Sequence, residues 1–210
     1  MNRLKIAFSA LLLTLLSGCS IQRASNQDMD YFYLDPNKDL STIGRVVVVE
    51  LHNTSNYPQV ETNITKLLFQ ALQKKQLFGL SVVYQDEPAW HSLQLNLNSS
   101  YTLEQYFDIR KTLKCDAVLL GTITEYQPYP HMIIGLRLKL IDLRDGQLLW
   151  ALEQIWDSSD KKTENRIKSY LKTQTMAGTK SLNEQLVMFS SRKFTKFLAY
   201  EVAETLQHKR

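Results

Sequence analysis

The chain has 210 residues, of which 44% are hydrophobic, and its formal net charge at pH 7 is +4. This length and apolar content suffice for one globular domain whose core folds without disulfides. Without Arg3 and Lys5 the charge falls to about +2, and the remaining basic residues are dispersed along the chain. A nucleic-acid-binding protein would need a clustered basic face, so nucleic acid is not an expected partner.

The N-terminus has the three parts of a secretory signal. A basic start with Arg3 and Lys5 leads into an apolar run over residues 6–16, and small residues follow at positions 17–18. The run is too short for a membrane-spanning helix, which needs ~20 apolar residues. We therefore predict that residues 1–18 form a signal peptide, with an uncleaved membrane anchor as the alternative.

Cys19 makes the signal more specific. Leu16-Ser17-Gly18-Cys19 resembles the lipobox of bacterial lipoproteins. The resemblance implies cleavage between Gly18 and Cys19, and attachment of acyl chains, palmitate among them, to Cys19. Ser20, in a position where Asp usually retains lipoproteins in the inner membrane, implies delivery to the outer membrane with the chain facing the periplasm.

The rest of the chain divides into a tether and a domain. Residues 19–40 hold the lipidated cysteine and a polar tether, and 41–210 form a single α/β domain. Extended, the tether spans at most ~70 Å, so the domain should stay near its membrane. The segment Tyr31–Pro36 is apolar and proline-terminated, which favours an edge strand, with a surface patch as the alternative.

A β-α-β unit is predicted next. The β-branched run Val46–Leu51 is typical of a strand buried on both faces, and turn-forming residues follow it over 52–58. Apolar residues between Val60 and Leu72 recur at helical spacing, and Leu80–Tyr84 predicts a second strand.

The middle of the chain predicts an irregular stretch, a short helix and a central strand. Residues 86–100 show no clear periodicity. A helix is expected from Thr102 through Lys111, with Leu103, Tyr106, Phe107 and Ile109 available for burial. The apolar segment Asp116–Glu125 follows as a strand in which Gly121 permits close packing, and Pro128 and Pro130 mark a turn.

The last third predicts an antiparallel hairpin and two helices. Leu136, Leu138 and Leu140 alternate with basic residues, 144–147 has turn chemistry, and Leu148–Leu152 returns as the partner strand. A helix and a loop are expected over 157–180, and an amphipathic helix capped by Ser190 or Ser191 closes the chain. The predicted fold is α/β: a single mixed β-sheet with a C-terminal antiparallel hairpin and amphipathic helices packed on it.

Three segments, 45–55, 114–126 and 140–150, together resemble a superfamily of periplasmic domains. Its members include the curli-secretion lipoprotein, penicillin-binding-protein activator lipoproteins and the N-terminal domain of the Tol translocation protein. The resemblance covers about half the chain. It implies a mixed sheet with packed helices and a binding or assembly role without catalysis. The segment Tyr31–Pro36 separately resembles the start of auxiliary lipoproteins of membrane transport systems.

The residues suggest no catalytic or metal centre. The four histidines, at positions 52, 91, 131 and 208, lack metal-ligand spacing. Cys115 begins a predicted core strand, which favours a buried apolar role. Asp142 and Asp145 flank the predicted hairpin turn, where Asp accepts backbone hydrogen bonds. No enzyme activity, cofactor or metal is therefore expected.

Aromatic residues in predicted loops are the candidate partner-binding residues: Tyr57, Trp90, Tyr126 and Tyr129. Loops are where recognition residues concentrate, although such rings also close the edge of a core. The expected function is an outer-membrane lipoprotein acting as an accessory or assembly factor of a cell-envelope machine. Its expected partners are the membrane, through Cys19, and an envelope protein, with self-association left open. The alternatives are an auxiliary lipoprotein of a transport system and an envelope hydrolase.

Overall fold

A computed structural model describes residues 32–93, 101–174, 187 and 190–207. Its strands are β1 (Phe32–Leu34), β2 (Arg45–Val49), β3 (His52–Asn53), β4 (Gly79–Val83), β5 (Ala117–Gln127), β6 (Ile133–Asp142) and β7 (Leu148–Asp157). Its α-helices are α1 (Val60–Lys75), α2 (Pro88–Leu93), α3 (Leu103–Leu113), α4 (Lys161–Gln174) and α5 (Ser191–Thr205). The predicted signal peptide, with Gly18 at its predicted cleavage site, and Cys19 lie outside the described residues.

The seven described strands form one mixed sheet, which confirms the predicted fold class. The strand order is β1-β7-β6-β5-β2-β4, and β3 continues the line of β2 by pairing with β5. Strands β2, β4, β3 and β5 run parallel where they pair, as expected for a β-α-β unit. Strands β5, β6, β7 and β1 are antiparallel.

The sheet separates two apolar cores. Val46 to Val49 of β2 are all buried, with alternate residues in the two cores, so the prediction of a strand covered on both faces is confirmed. The larger core lies under α1, α4 and α5 and contains Trp150, Trp156, Phe194 and Phe197. The smaller core lies on the other face and includes Ile109 of α3 and Cys115.

Both tryptophans of the larger core have polar partners on α5. Trp150 Nε1 donates to Thr205 Oγ1 at 3.1 Å, and Trp156 Nε1 donates to Glu201 Oε2 at 2.6 Å. A buried indole N–H without an acceptor would cost free energy, so these bonds help to place α5 on the sheet.

Two glycines of the long strands lie where a Cβ would meet close neighbours. A Cβ at Gly121 would overlap side-chain atoms of Leu138 and Leu51, which confirms the predicted close packing. Gly135 faces a β-bulge between Ile123 and Glu125, where a Cβ would lie 2.5 Å from Thr124 Oγ1. A larger residue opposite the bulge would therefore require the Thr124 side chain to move.

Helix starts follow the expected capping chemistry. Ser190 accepts a hydrogen bond from Lys193 N at the start of α5, in agreement with one of the two predicted caps. Thr102 and Gln105 form a reciprocal capping box at the start of α3. The predicted helix after residue 157 is α4, and its residues Ile167, Tyr170 and Leu171 pack against the larger core.

Three details differ from the sequence predictions. Residues 88–93, expected to be irregular, form the short helix α2, while 94–100 lie outside the described residues. Leu103 and Phe107, expected to be available for burial, are 68% and 59% exposed because α3 packs mainly through Ile109. Finally, β1 pairs with β7, so residues 32–40, assigned to the tether, belong to the folded unit.

Candidate functional site

A groove between α1 and α5 lies beside two of the predicted aromatic residues. Its volume is about 310 Å³. Residues of α1, the end of β5 and the start of α5 line it: Val60, Asn63, Ile64, Lys66, Leu67, Gln70, Tyr126, Ser191, Arg192 and Thr195. We call it the α1–α5 groove.

Asn53 fixes the loop that leads into α1. Its Nδ2 donates to the Tyr57 carbonyl oxygen at 2.7 Å and to Glu61 Oε2 at 2.9 Å, while its Oδ1 accepts from Ser55 N at 2.9 Å. Thr54 also donates twice to the Ile123 carbonyl oxygen of β5. These bonds hold residues 53–57 against the sheet and against α1.

The fixed loop brings Tyr57 onto Tyr126. The two rings meet edge to face, with centroids 5.4 Å apart and an interplanar angle of 62°. Such pairs contribute about 0.5–1.5 kcal/mol beyond their area burial. Burial raises the pKa of Tyr126, against the opposite effect of a hydrogen bond with the Ser191 side chain. The prediction that Tyr126 lies in a loop is wrong, because β5 extends to Gln127 and Tyr126 pairs with Ile134 of β6. Tyr126 therefore connects the loop 53–57, β5 and α5 at one end of the groove.

The groove is amphipathic and positively charged. Ile64 and Thr195 are buried at its base, and Lys66 and Arg192 are exposed on opposite helices. They are the charged residues in its lining, and both are cations. An apolar base with polar walls is the arrangement in which a side chain of a protein partner can be buried while its polar neighbours stay hydrated.

The other two predicted residues lie elsewhere. Tyr129 is in the turn between β5 and β6 and is 81% exposed. Trp90 is on α2, half-buried against the smaller core on the opposite face of the sheet. The structure thus brings Tyr57 and Tyr126 together and separates Trp90 from them, in a position where its ring packs at the edge of a core.

The cysteine and the paired carboxylates have the structural environments expected for them. Cys115 is 3% exposed, and burial raises the pKa of its thiol to about 11. Asp142 accepts hydrogen bonds from Arg144, and Asp145 accepts one from Gln147 N at 3.0 Å within the turn. Among residues 32–93, 101–174, 187 and 190–207, no group of three or more His, Cys, Asp or Glu side chains could hold a metal ion.

A second, wider cleft of about 780 Å³ lies at the opposite end of the sheet, after β1. It is lined by Leu34, Asp35, Pro36, Lys38, Asp39, Leu40, Ser41, Leu77, Leu206 and Gln207.

No helix in the described part of the chain is both long and apolar enough to cross a membrane.

No family model and no curated protein matches the chain. Solved structures match its fold. A PelC dodecamer from Paraburkholderia phytofirmans aligns with a TM-score of 0.51 and 13% identity, over 84% of this chain and 97% of that one. At this identity the likeness is one of fold alone.

Two further matches are weaker. The lipoprotein GNA1162 from Neisseria meningitidis aligns with a TM-score of 0.41 and 18% identity, over 62% of this chain and 95% of that one. The C-terminal domain of LpoB from Salmonella enterica aligns with a TM-score of 0.40 and 22% identity, over 54% and 83% of the two chains.

Proposed function

We propose that the chain is a lipid-anchored outer-membrane lipoprotein whose periplasmic α/β domain binds an envelope protein and acts as an accessory or assembly factor of a cell-envelope machine. The observation that carries the binding role is the α1–α5 groove with the Tyr57–Tyr126 pair at its end. Its preformed, amphipathic lining is the kind of surface at which a few buried contacts supply most of the binding energy.

The lipid anchor is supported by Leu16-Ser17-Gly18-Cys19. Each buried methylene group contributes ~0.8 kcal/mol, and one acyl chain binds membranes reversibly whereas two or more hold firmly. The mature protein should therefore remain with outer-membrane vesicles, and mass spectrometry should find Cys19 acylated at its N-terminus. Cys19→Ala should be soluble or unprocessed. Normal membrane fractionation of a processed Cys19→Ala variant would contradict the anchor.

The protein-binding role can be tested by crosslinking in cells. A photo-reactive amino acid at Asn63 or Gln70, both exposed in the groove, should capture one defined envelope protein. The same group at Thr112, which is exposed on α3 on the other face of the sheet, is the matched control. Equal capture from both faces would argue against a site in the groove.

Binding by the purified pair completes the test. Asn63→Trp places a bulky side chain in the groove. It should lower the affinity for the captured partner at least about tenfold, equivalent to about 1.4 kcal/mol of binding free energy. Thr112→Trp should leave the affinity unchanged. If both variants bind as the parent protein does, the groove is not the binding site, whatever the partner is.

We also propose that the chain self-associates. Support comes from the PelC structure, which is a dodecamer and whose fold extends over 84% of this chain. Native mass spectrometry of the chain from Ser20 onward should show a defined oligomer at micromolar concentration. A monomer under those conditions would remove this part of the proposal without affecting the groove.

A further inference from the structure

The two ends of the sheet differ in chemistry. At one end, which we call the aromatic end, the turn between β5 and β6 carries Tyr129, and Tyr57 and Tyr126 lie beside it. At the other, the ionic end, the turn between β6 and β7 carries Asp142, Arg144 and Asp145, and Lys38 of the segment after β1 is ion-paired with both aspartates.

The direction of β1 relates the N-terminal chain to these ends. In the antiparallel register Phe32 pairs with Leu152 and Leu34 pairs with Trp150. Strand β7 runs from the ionic end at Leu148 to the aromatic end at Asp157, so β1 runs the opposite way. The N-terminal end of β1, at Phe32, therefore points toward the aromatic end.

The chain between Cys19 and Phe32 is short. Phe32 is thirteen residues after Cys19, and this length spans at most about 45 Å when extended. Asp157 lies five residues beyond Leu152, the partner of Phe32, or about 17 Å along β7. This length reaches the aromatic end, and it also reaches the ionic end at Leu148, four residues or about 14 Å from Leu152. The direction of β1, and not the length of the chain before it, therefore favours the aromatic end.

The side chains of the aromatic end suit the surface of a bilayer. Tyr129 is 81% exposed and lies between Pro128 and Pro130, and Tyr57 is 41% exposed. Tyrosine is enriched at membrane interfaces because its ring is apolar while its hydroxyl remains among the headgroups. Within the described residues the Tyr129 side chain is largely uncovered, so its ring is available to a lipid surface.

A second apolar surface competes for the same role. Leu103 and Phe107 are exposed one turn apart on α3, and a Cβ at Gly146 would lie 3.6 Å from Leu103 Cδ2, so this pair is beside the ionic end. Charge does not separate the two ends, because at the aromatic end His131 lies 3.7 Å from Asp157 and the exposed Lys161 follows β7. The direction of β1 does separate them, since its first residue, Phe32, points toward the aromatic end.

We propose that the aromatic end faces the bilayer and that Tyr129 lies in the headgroup region. The proposal rests on the lipid anchor at Cys19 proposed above, and it assigns the turn a lipid surface while the α1–α5 groove remains open to a protein. Its consequence is that the groove opens next to the membrane, where only a partner that is itself membrane-bound or closely apposed can reach it.

The test uses the acylated protein in vesicles of phosphatidylethanolamine and phosphatidylglycerol. Nitroxide labels are placed on His131→Cys, next to an intact Tyr129, on Gln147→Cys at the ionic end, and on Asp108→Cys beside Phe107. All three sites are outside the buried core. Cys115 is buried and should not take the label, and acylation blocks Cys19.

The readout is collision of each label with lipid-soluble oxygen and with a water-soluble nickel chelate. We expect the label at 131 to favour oxygen and those at 147 and 108 to favour the chelate. Tyr129→Ala should return the 131 label to the water-like pattern, whereas Tyr129→Trp should preserve the lipid-like one. Because Tyr129 is exposed, neither change should affect folding.

Each outcome decides the proposal. Lipid-like behaviour at 108 or 147 with water-like behaviour at 131 would overturn it in favour of the other end, and three water-like labels would show no contact. A label at 131 that is water-like in vesicles but protected in whole envelopes would mean that a protein covers the turn. An unacylated Cys19 would overturn the anchor as well, whereas an acylated protein with a water-like 131 label would overturn only the orientation.

Discussion

Replacing Asp142 by Asn should test whether the ionic end stabilises the fold. The Asp142 side chain is fully buried and accepts hydrogen bonds from Arg144 Nη2 at 2.7 Å, Arg144 Nε at 2.9 Å and Arg144 N at 2.9 Å. Asn has the same shape but no charge, and its amide group would present a donor to the guanidinium. The variant therefore removes the ion pair without opening a cavity.

The magnitude follows from these contacts. Hydrogen bonds to charged groups contribute about 1.5–3 kcal/mol each, and breaking a buried pair costs about 3–5 kcal/mol. Because the Arg144 side chain is 41% exposed, water can replace part of what it loses. We therefore expect Asp142→Asn to lower the free energy of unfolding by about 2–3 kcal/mol, which corresponds to about 4–12 °C in Tm for a domain of this size.

The effect should depend on pH with a definite sign. Burial acts to raise the pKa of Asp142, but the hydrogen bonds and charges of Arg144, with a smaller effect from Lys38, hold it below its usual value. A depressed folded-state pKa stabilises the fold above the unfolded value of about 3.9, and this contribution is lost as pH falls through the folded pKa. The difference in the free energy of unfolding between parent and variant should therefore become smaller as the pH is lowered.

Urea titrations of the chain from Ser20 onward at pH 7, 5 and 3 would measure this. The matched control is Asp145→Asn, since Asp145 is exposed and accepts from Gln147 N in the same turn and from Lys38 of the segment after β1. Exposed pairs are worth about 0–1 kcal/mol, so the control should change little. Equal effects of the two variants, or a gap that is as wide at pH 3 as at pH 7, would refute the reasoning.

Three further outcomes are expected. Burial raises the pKa of Glu201 against the opposing effects of Arg166 and the Trp156 N–H. A carboxyl whose pKa is raised in the folded state loses its stabilising contribution as pH rises through that pKa, so the free energy of unfolding of Glu201→Gln should increase relative to the parent from pH 4 to 7. Urea titrations that show the same pH dependence for both proteins would contradict this. Gly121→Ala should cost about 1–3 kcal/mol in the same assay by overpacking against Leu138 and Leu51, and an unchanged midpoint would count against it. Cys115, with its pKa raised to about 11, should resist a thiol reagent at pH 8 until urea unfolds the chain, which rapid labelling of the native protein would disprove.

Local periodicity predicted most of the fold because its signals depend on near neighbours. The run Val46–Val49 is apolar on both faces of its strand and is buried on both. The alternation around Leu138 and the turn chemistry at 144–147 likewise predicted the β6–β7 hairpin, because a two-residue period and an Asp-Gly turn specify strand and reversal together. These elements follow from residues a few positions apart.

The candidate site was predicted only in part. The sequence predicts Tyr57 and Tyr126 as partner-binding aromatics in loops, although Tyr126 lies in strand β5. Lys66 and Arg192 lie on the exposed faces of two helices that are more than a hundred residues apart in the sequence. Only the packing of α1 against α5 brings them to one groove. An exposed Lys on an amphipathic helix has no sequence pattern that separates it from a solvated one, so periodicity could not identify it.

Short or thinly packed helices explain the remaining differences. Helix α2 has six residues, which are too few to display a 3.6-residue period. The sequence therefore predicts a loop at Trp90, although its ring packs on the smaller core. Helix α3 does have apolar residues at helical spacing, yet Leu103 and Phe107 are exposed. Periodicity shows which residues share a face but not whether another element covers that face.

The two ends of the sheet have different roles: the ionic end stabilises the fold, and the aromatic end borders the proposed binding site. At the ionic end, the network around Asp142 closes the hairpin and attaches the segment after β1. At the aromatic end, β2, β3 and β5 reach their carboxyl ends, where α/β sheets generally bind ligands, and the loop 53–57 and Tyr126 border the groove there. Substitutions at the ionic end should therefore lower stability with little effect on partner affinity. Exposed groove residues such as Asn63 should show the reverse, because their side chains contribute little to either core.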